Sequence, residues 1–234
     1  MFPRARAAET MKRYRELMTD PPDELETSGG LSPDERTFFI ALTISGARQA
    51  ADRLADAWRQ ALRPQDDNLK WGPYSAGLVV PAAPSTGTGV FLCDLDDRVI
   101  DVLAAAVASA PPSASVVWND FHGAVTRVAV DAMAFPLRRR GYDVFVTAPW
   151  TDPGTRARAV AWVDDVGHAL RPFGGGVYVN NLTDEEAHRV PDAYGRNYAR
   201  LSGIKWKYDP ENFFRANHNI PPRAPATRES SRRG

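Results

Sequence analysis

Four histidines, one cysteine and one strand-borne aspartate are the residues whose types could do chemistry by themselves. His122, His168, His188 and His218 are scattered, and no pair has metal-ligand spacing. A zinc site gathers three or four thiolate, imidazole or carboxylate ligands, and Cys93 is the single cysteine, so a metal site is not expected. Asp143 is the only acid in the strand-like stretch 142–148. It is a candidate acid without an assigned role, and the catalytic base stays unknown. Gly29-Gly30, Gly87-x-Gly89 and Gly174-Gly175-Gly176 fit neither a dinucleotide fingerprint nor a P-loop. No Gly-x-Ser-x-Gly elbow occurs. Arg138-Arg139-Arg140 reads either as an anion patch or as a solvated turn.

The chain has 234 residues, enough for one large domain or a domain and a half. Hydrophobic residues are 43% and charged residues 25%, a composition able to bury a core. With 29 basic and 29 acidic side chains the formal net charge is zero, which gives no general pull toward nucleic acid or an anionic membrane. One cysteine allows no internal disulfide. No apolar run nears the ~20 residues of a membrane span, and the start of the chain lacks a signal-peptide core. A cytoplasmic location is the expectation.

The elements that position these residues follow from periodicity. Ala7, Met11, Tyr14 and Met18 recur at helical spacing and predict a helix over 5–18, stopped by Pro21-Pro22. Residues 37–45 predict a strand and 47–62 an amphipathic helix. Residues 64–89, rich in Pro, Gly and Ser, predict a long loop. A strand over 90–95, a helix capped by Asp96 or Asp97 and running to Ser109, and an extended pair over 115–130 around Gly123 come next. Residues 142–148 predict a strand, Thr151-Asp152-Pro153 the start of a helix to Leu170, and 177–181 a further strand. A last helix starts at Pro191 or Asp192, and 223–234 reads as a disordered tail. Together these predict an α+β fold, one mainly antiparallel sheet covered by helices on one face.

The last third is the most specific part of the sequence. Tyr194-Gly-Arg-Asn197-Tyr198-Ala-Arg200-Leu201 precedes Ile204-Lys205-Trp-Lys-Tyr208-Asp209-Pro210-Glu-Asn212-Phe213-Phe214, and Asn219-Ile220-Pro221-Pro222 closes the run. It resembles the C-terminal segment of the berberine bridge enzyme-like family of FAD-linked oxidoreductases. Gly123-Ala124-Val125-x-Arg127-Val128, Ala134-Phe135-Pro136-x-Arg138, Trp150-x-Asp152-Pro153 and Gly175-Gly176-Val177-Tyr178-Val179-Asn180 resemble stretches of the same family's substrate domain. The resemblance spans about residues 2–222.

The resemblance implies a substrate-binding domain over 1–173 and a flavin-contacting, helical C-terminal segment over 174–222. It implies that Tyr178, Asn180, Tyr194 and Asn197 contact FAD; these side chains otherwise serve as caps of the last strand and helix. It puts His122, where the family has Gly, near the site as a base or as a packed side chain, and Leu137 replaces the family's His. The family's FAD pyrophosphate site lies in an N-terminal domain, and no Gly-Gly-His segment is found here. The expectation is therefore a C-terminal half that binds FAD weakly or not at all alone. Its function would be oxidation of a small organic substrate, with a separate FAD-binding domain or subunit as partner, or self-association through the uncovered face. A flavin-free binding or interaction module is the alternative.

Overall fold

The computed structural model describes residues 1–31, 37–72 and 84–224. Six strands form one sheet: β1 (Phe2–Pro3), β2 (Leu25–Leu31), β3 (Thr37–Ile44), β4 (Ser85–Leu92), β5 (Ser115–Phe121) and β6 (Gly141–Pro149). Their order is β1-β3-β2-β5-β6-β4, and every pairing is antiparallel. Helices α1 (Ala7–Leu17), α2 (Arg48–Leu62), α3 (Asp97–Ser109) and α4 (Pro153–Leu170) cover one face. The short α5 (Val190–Tyr194) and α6 (Tyr198–Tyr208) follow. The α+β, antiparallel, helix-covered sheet is the expected fold class.

Local chemistry fixes these boundaries. Asp96 accepts the Val99 amide at 2.9 Å and starts α3. Asp152 accepts the Gly154 and Thr155 amides while Thr155 bonds back, a reciprocal cap with Pro153 in the first turn of α4. Ala7, Met11, Tyr14 and Met18 are all buried, as their spacing requires. Tyr14 sits deepest. Its ring lies 5.9 Å from Trp58 and 5.8 Å from Trp118, and its hydroxyl meets Thr27 Oγ1 at 2.6 Å. The partner removes the cost of burying a hydroxyl.

The structure departs from the sequence reading at four points. First, β2 lay hidden because Ser28-Gly29-Gly30 lacks strand-forming residues, and its glycines have a packing reason. A Cβ on Gly29 would stand 2.1 Å from the Trp118 ring, so the indole lies directly on the strand backbone. Second, residues 85–89 belong to β4 rather than to a loop; residues 73–83 lie outside the described residues. Third, β5 ends at Phe121, and Gly123–Arg127 is a 3-10 turn, not a second extended arm. Fourth, Val179–Asn181 is a 3-10 turn, not a strand. Most of the predicted tail, from residue 225, lies outside the described residues.

The edge strand β4 is not left bare. Phe91 donates its amide to Gly176 O at 2.9 Å, and Gly175 donates to Phe91 O at 2.9 Å. The chain from residue 174 thus runs along β4, supplies the pairing a free edge lacks, and crosses to the helix-free face.

Candidate functional site

The helix-free face is where strand alternation puts side chains that the core does not use. On β6, Val144 and Val146 enter the core, so Asp143 and Phe145 face the other way. The cross-strand neighbours of Asp143 are Phe91 on β4 and Asn119 on β5. Ser28 on β2 is the next residue across, opposite Asn119. A polar row, Ser28–Asn119–Asp143, therefore crosses the middle of this face.

Asp143 is the distinctive member. It is only 4% exposed, although it is an acid on the sheet face turned away from the helices. Asn181 covers it, and its side-chain amide donates to both carboxylate oxygens at 3.0 and 2.8 Å. Burial pushes the carboxyl up to about 6, and the Asn181 bonds partly oppose that rise. Asn181 reaches this place because residue 89 has no side chain. A Cβ on Gly89 would lie 2.6 Å from Asn181 Cβ. A carboxyl poised near neutrality, on a face away from the core, can accept a proton from a bound molecule.

Tyr178 and Asn180 stand together beside this group. Asn180 Nδ2 donates to Tyr178 Oη at 2.7 Å, and Asn180 is exposed. The Tyr178 ring meets Phe135 edge-on at 5.7 Å, and Phe135, Phe121 and Phe91 continue an aromatic row to Asp143's neighbour. An exposed carboxamide offers donors and an acceptor, and a phenol offers both. That donor set fits the rim of a flavin ring, which presents nitrogens and carbonyl oxygens.

The other two expected residues sit differently. Tyr194 is half-buried beside Val177, Leu182, Val190 and Ala193, and burial raises its phenol. Asn197 is buried, and its amide donates to Val130 O at 2.7 Å and Met133 O at 3.1 Å. It clamps the loop before β6. The structure therefore brings Tyr178 and Asn180 together and leaves Asn197 holding backbone. His122 has one ring nitrogen against Asp120 and the other 3.2 Å from Pro22 O. Asp120 also accepts the Thr27 amide at 2.6 Å, so this pair ties β5 to β2. Each arginine of the 138–140 run is engaged. Arg138 lies over Phe135, Arg139 donates to Gly175 O at 2.7 Å, and Arg140 donates to Thr19 O at 2.7 Å. Among the described residues, no cluster of His, Cys, Asp and Glu is placed to hold a metal.

Sequence reasoning missed Asn181. The motif reading stopped at Asn180, and only the 3-10 turn aims the next residue at β6. The predicted strand would have pointed residues 180 and 181 to opposite faces.

Known proteins resemble this chain in sequence and in fold. The family model described as "Berberine and berberine like" matches residues 177–221. Over those residues the chain is similar to the berberine bridge enzyme-like proteins. It is 35% identical over 130 residues to the FAD-linked oxidoreductase YgaK of Bacillus subtilis, which covers 55% of this chain and 29% of the relative. It is 30% identical over 123 residues to berberine bridge enzyme-like 17 of Arabidopsis thaliana, covering 45% of this chain and 23% of that one. Among solved structures, Physcomitrella patens BBE-like 1 superposes with a TM-score of 0.76 at 15% identity, covering 96% of this chain and 52% of that one. The berberine bridge enzyme of Eschscholzia californica gives 0.72 at 15% identity, covering 95% and 54%. The chain thus spans about half the length of these structures and under a third of the curated relatives it matches. Among the described residues, no helix is long and apolar enough to cross a membrane.

Proposed function

We propose that this berberine bridge enzyme-like chain is the substrate-binding part of an FAD-dependent oxidoreductase that oxidises a small organic molecule. Residues 1–173 would form the substrate unit and 174–222 the flavin-contacting segment. The observation that carries the reading is Asp143, a carboxyl held close to neutrality on the helix-free face of β6, one strand in from the sheet edge. FAD, when bound, would supply the acceptor for the hydride.

The work of this chain is to bind, to orient and to take a proton. Ser28, Asn119 and Phe145 offer a polar row beside an apolar floor for the substrate. Oxidation at a carbon bearing a hydroxyl or amine releases a proton from the heteroatom. An Asp143 oxygen accepts it, and Asn181 fixes the carboxylate in one orientation. Asp143 suits both directions, because its raised affinity lets it hold the proton until solvent removes it. Tyr178 and Asn180 would meet the flavin edge, with Tyr194 and Asn197 supporting the segment that carries them. A flavin-binding domain, joined to this chain or separate from it, is the partner this reading requires.

Fusion of such a domain before Met1 tests the proposal. Substrate-dependent bleaching of the flavin absorbance in the fusion, lost on Asp143→Asn, is the expected result. A fusion that binds FAD and bleaches equally with and without Asp143 would overturn it.

A further inference from the structure

A buried charged cluster lies on the far side of β4 from Asp143, and the proposed chemistry does not use it. Arg189 is only 8% exposed and Glu186 equally so. Arg189 Nη1 donates to Glu186 Oε1 at 2.5 Å and to Thr88 Oγ1 at 3.1 Å, while Nη2 donates to Gly89 O at 2.9 Å. Thr88 Oγ1 donates to the same Glu186 oxygen at 2.7 Å, and Arg171 approaches it to 3.7 Å. Glu186 Oε2 is buried and finds no partner among the described residues.

Burying two charges is expensive, and an ion pair seldom recovers that cost in stability alone. Its place is informative. Thr88 faces the helices, since a Cβ on Gly167 of α4 would stand 2.9 Å from its methyl. Gly89 faces the opposite way and seats Asn181. Residues 181 and 189 belong to one segment that passes around the β4 edge, so this segment grips residues 88 and 89 from both sides. Arg189 is the residue whose planar fork spans both of them, with one nitrogen on the Thr88 hydroxyl and the other on the Gly89 carbonyl.

We propose that Arg189, locked by Glu186, is a positioning residue that holds Asn181 over Asp143 by pinning the segment to β4 at the position where Asn181 is seated. The inference rests on the Asp143–Asn181 pairing used in the proposed function and needs no flavin to test. Without the fork, residues 182–189 lose their anchor to the strand. The Asn181 amide then leaves the carboxylate, although every residue of the face is still present.

The test is a carboxyl-carbon NMR titration of the full chain labelled at aspartate, with Asp143 assigned by its absence in Asp143→Asn. Asn181→Leu keeps the cover and removes the two donors, so it should raise the proton affinity of Asp143 by about tenfold. In an Arg189→Met background the same replacement should shift it by less than about twofold, because Asn181 is already displaced. Should Arg189→Met fail to fold, Glu186→Gln/Arg189→Met removes both charges and serves as the background. Arg189→Lys, which keeps the charge without the fork, should restore the effect of Asn181→Leu only in part. Equal tenfold shifts with and without Arg189 would overturn its role and leave the pairing standing. No shift from Asn181→Leu in either background would overturn the pairing itself, and the proposal with it.

Discussion

Asn181 reaches both carboxylate oxygens of Asp143 with one amide nitrogen, at 3.0 and 2.8 Å, across the width of β4. The donor comes from the C-terminal segment and the acid from the sheet. The site is therefore completed only where the segment wraps the strand edge, and the consequences for stability, pH and chemistry follow from that junction.

The first consequence is a pH-dependent stability. Asp143 titrates at about 6 in the folded chain against an ordinary value of 3.8. Between these values the folded state holds a proton that the unfolded state has lost. Stability therefore falls as pH rises from about 4 to 6 and stays lowered above that. The full difference is about 3 kcal/mol at most. Asp143→Asn should unfold at higher urea than the parent at pH 7.5, with the advantage gone by pH 4. Equal urea midpoints at both pH values would contradict the burial assigned to this carboxyl.

Asn180 and Asn197 should behave in opposite ways. Asn197 is buried and satisfies two backbone carbonyls before β6. Asn197→Ala should cost about 1–3 kcal/mol and lower the melting midpoint. Retention of the parent midpoint would show that the loop holds itself.

Asn180 is exposed and bonds only to its neighbour Tyr178 among the described residues. Asn180→Ala should leave the melting midpoint in place. In a fusion with a flavin-binding domain it should slow flavin reduction about a hundredfold, the usual cost of ~3 kcal/mol for one well-placed donor. A lowered midpoint with unchanged reduction would make Asn180 a turn-stabilising residue instead.

These assignments show how far the sequence could be read. Helix ends were legible because Asp96, Asp152 and Pro153 act locally, through bonds that span three residues. The sheet was less legible. Gly87 and Gly89 of β4 read as loop and β2 went unassigned, because the reason for their glycines is a neighbour distant in the chain: Trp118 against Gly29, and Asn181 against Gly89. Val177-Tyr178-Val179 read as strand from its β-branched residues, yet the β4 edge takes its pairing from Gly175 and Gly176 and the chain turns away just after. That error hid Asn181. Asp143 was visible as an acid on a strand, but its perturbed titration is set by burial that no local pattern records.

The C-terminal segment also leaves aromatic surface uncovered. Trp206 is 45% exposed, Phe213 79% and Phe214 75%, with Ile204 and Tyr208 exposed nearby. Apolar surface of this kind marks a contact with another domain or copy. The chain should self-associate in a concentration-dependent way, and Phe213→Ser/Phe214→Ser should shift sedimentation toward monomer. A parent chain that stays monomeric at high concentration would contradict this.

The most direct test of the account is the pH dependence of flavin reduction in the fusion protein, measured by stopped flow under single-turnover conditions. With Asp143 as the proton acceptor, the rate should rise through an ionisation near pH 6, the midpoint of the buried carboxyl. Asp143→Asn should abolish that ionisation and lower the plateau at least a hundredfold, with FAD still bound. A plateau and a pH profile unchanged by Asp143→Asn would contradict the role given to this carboxyl.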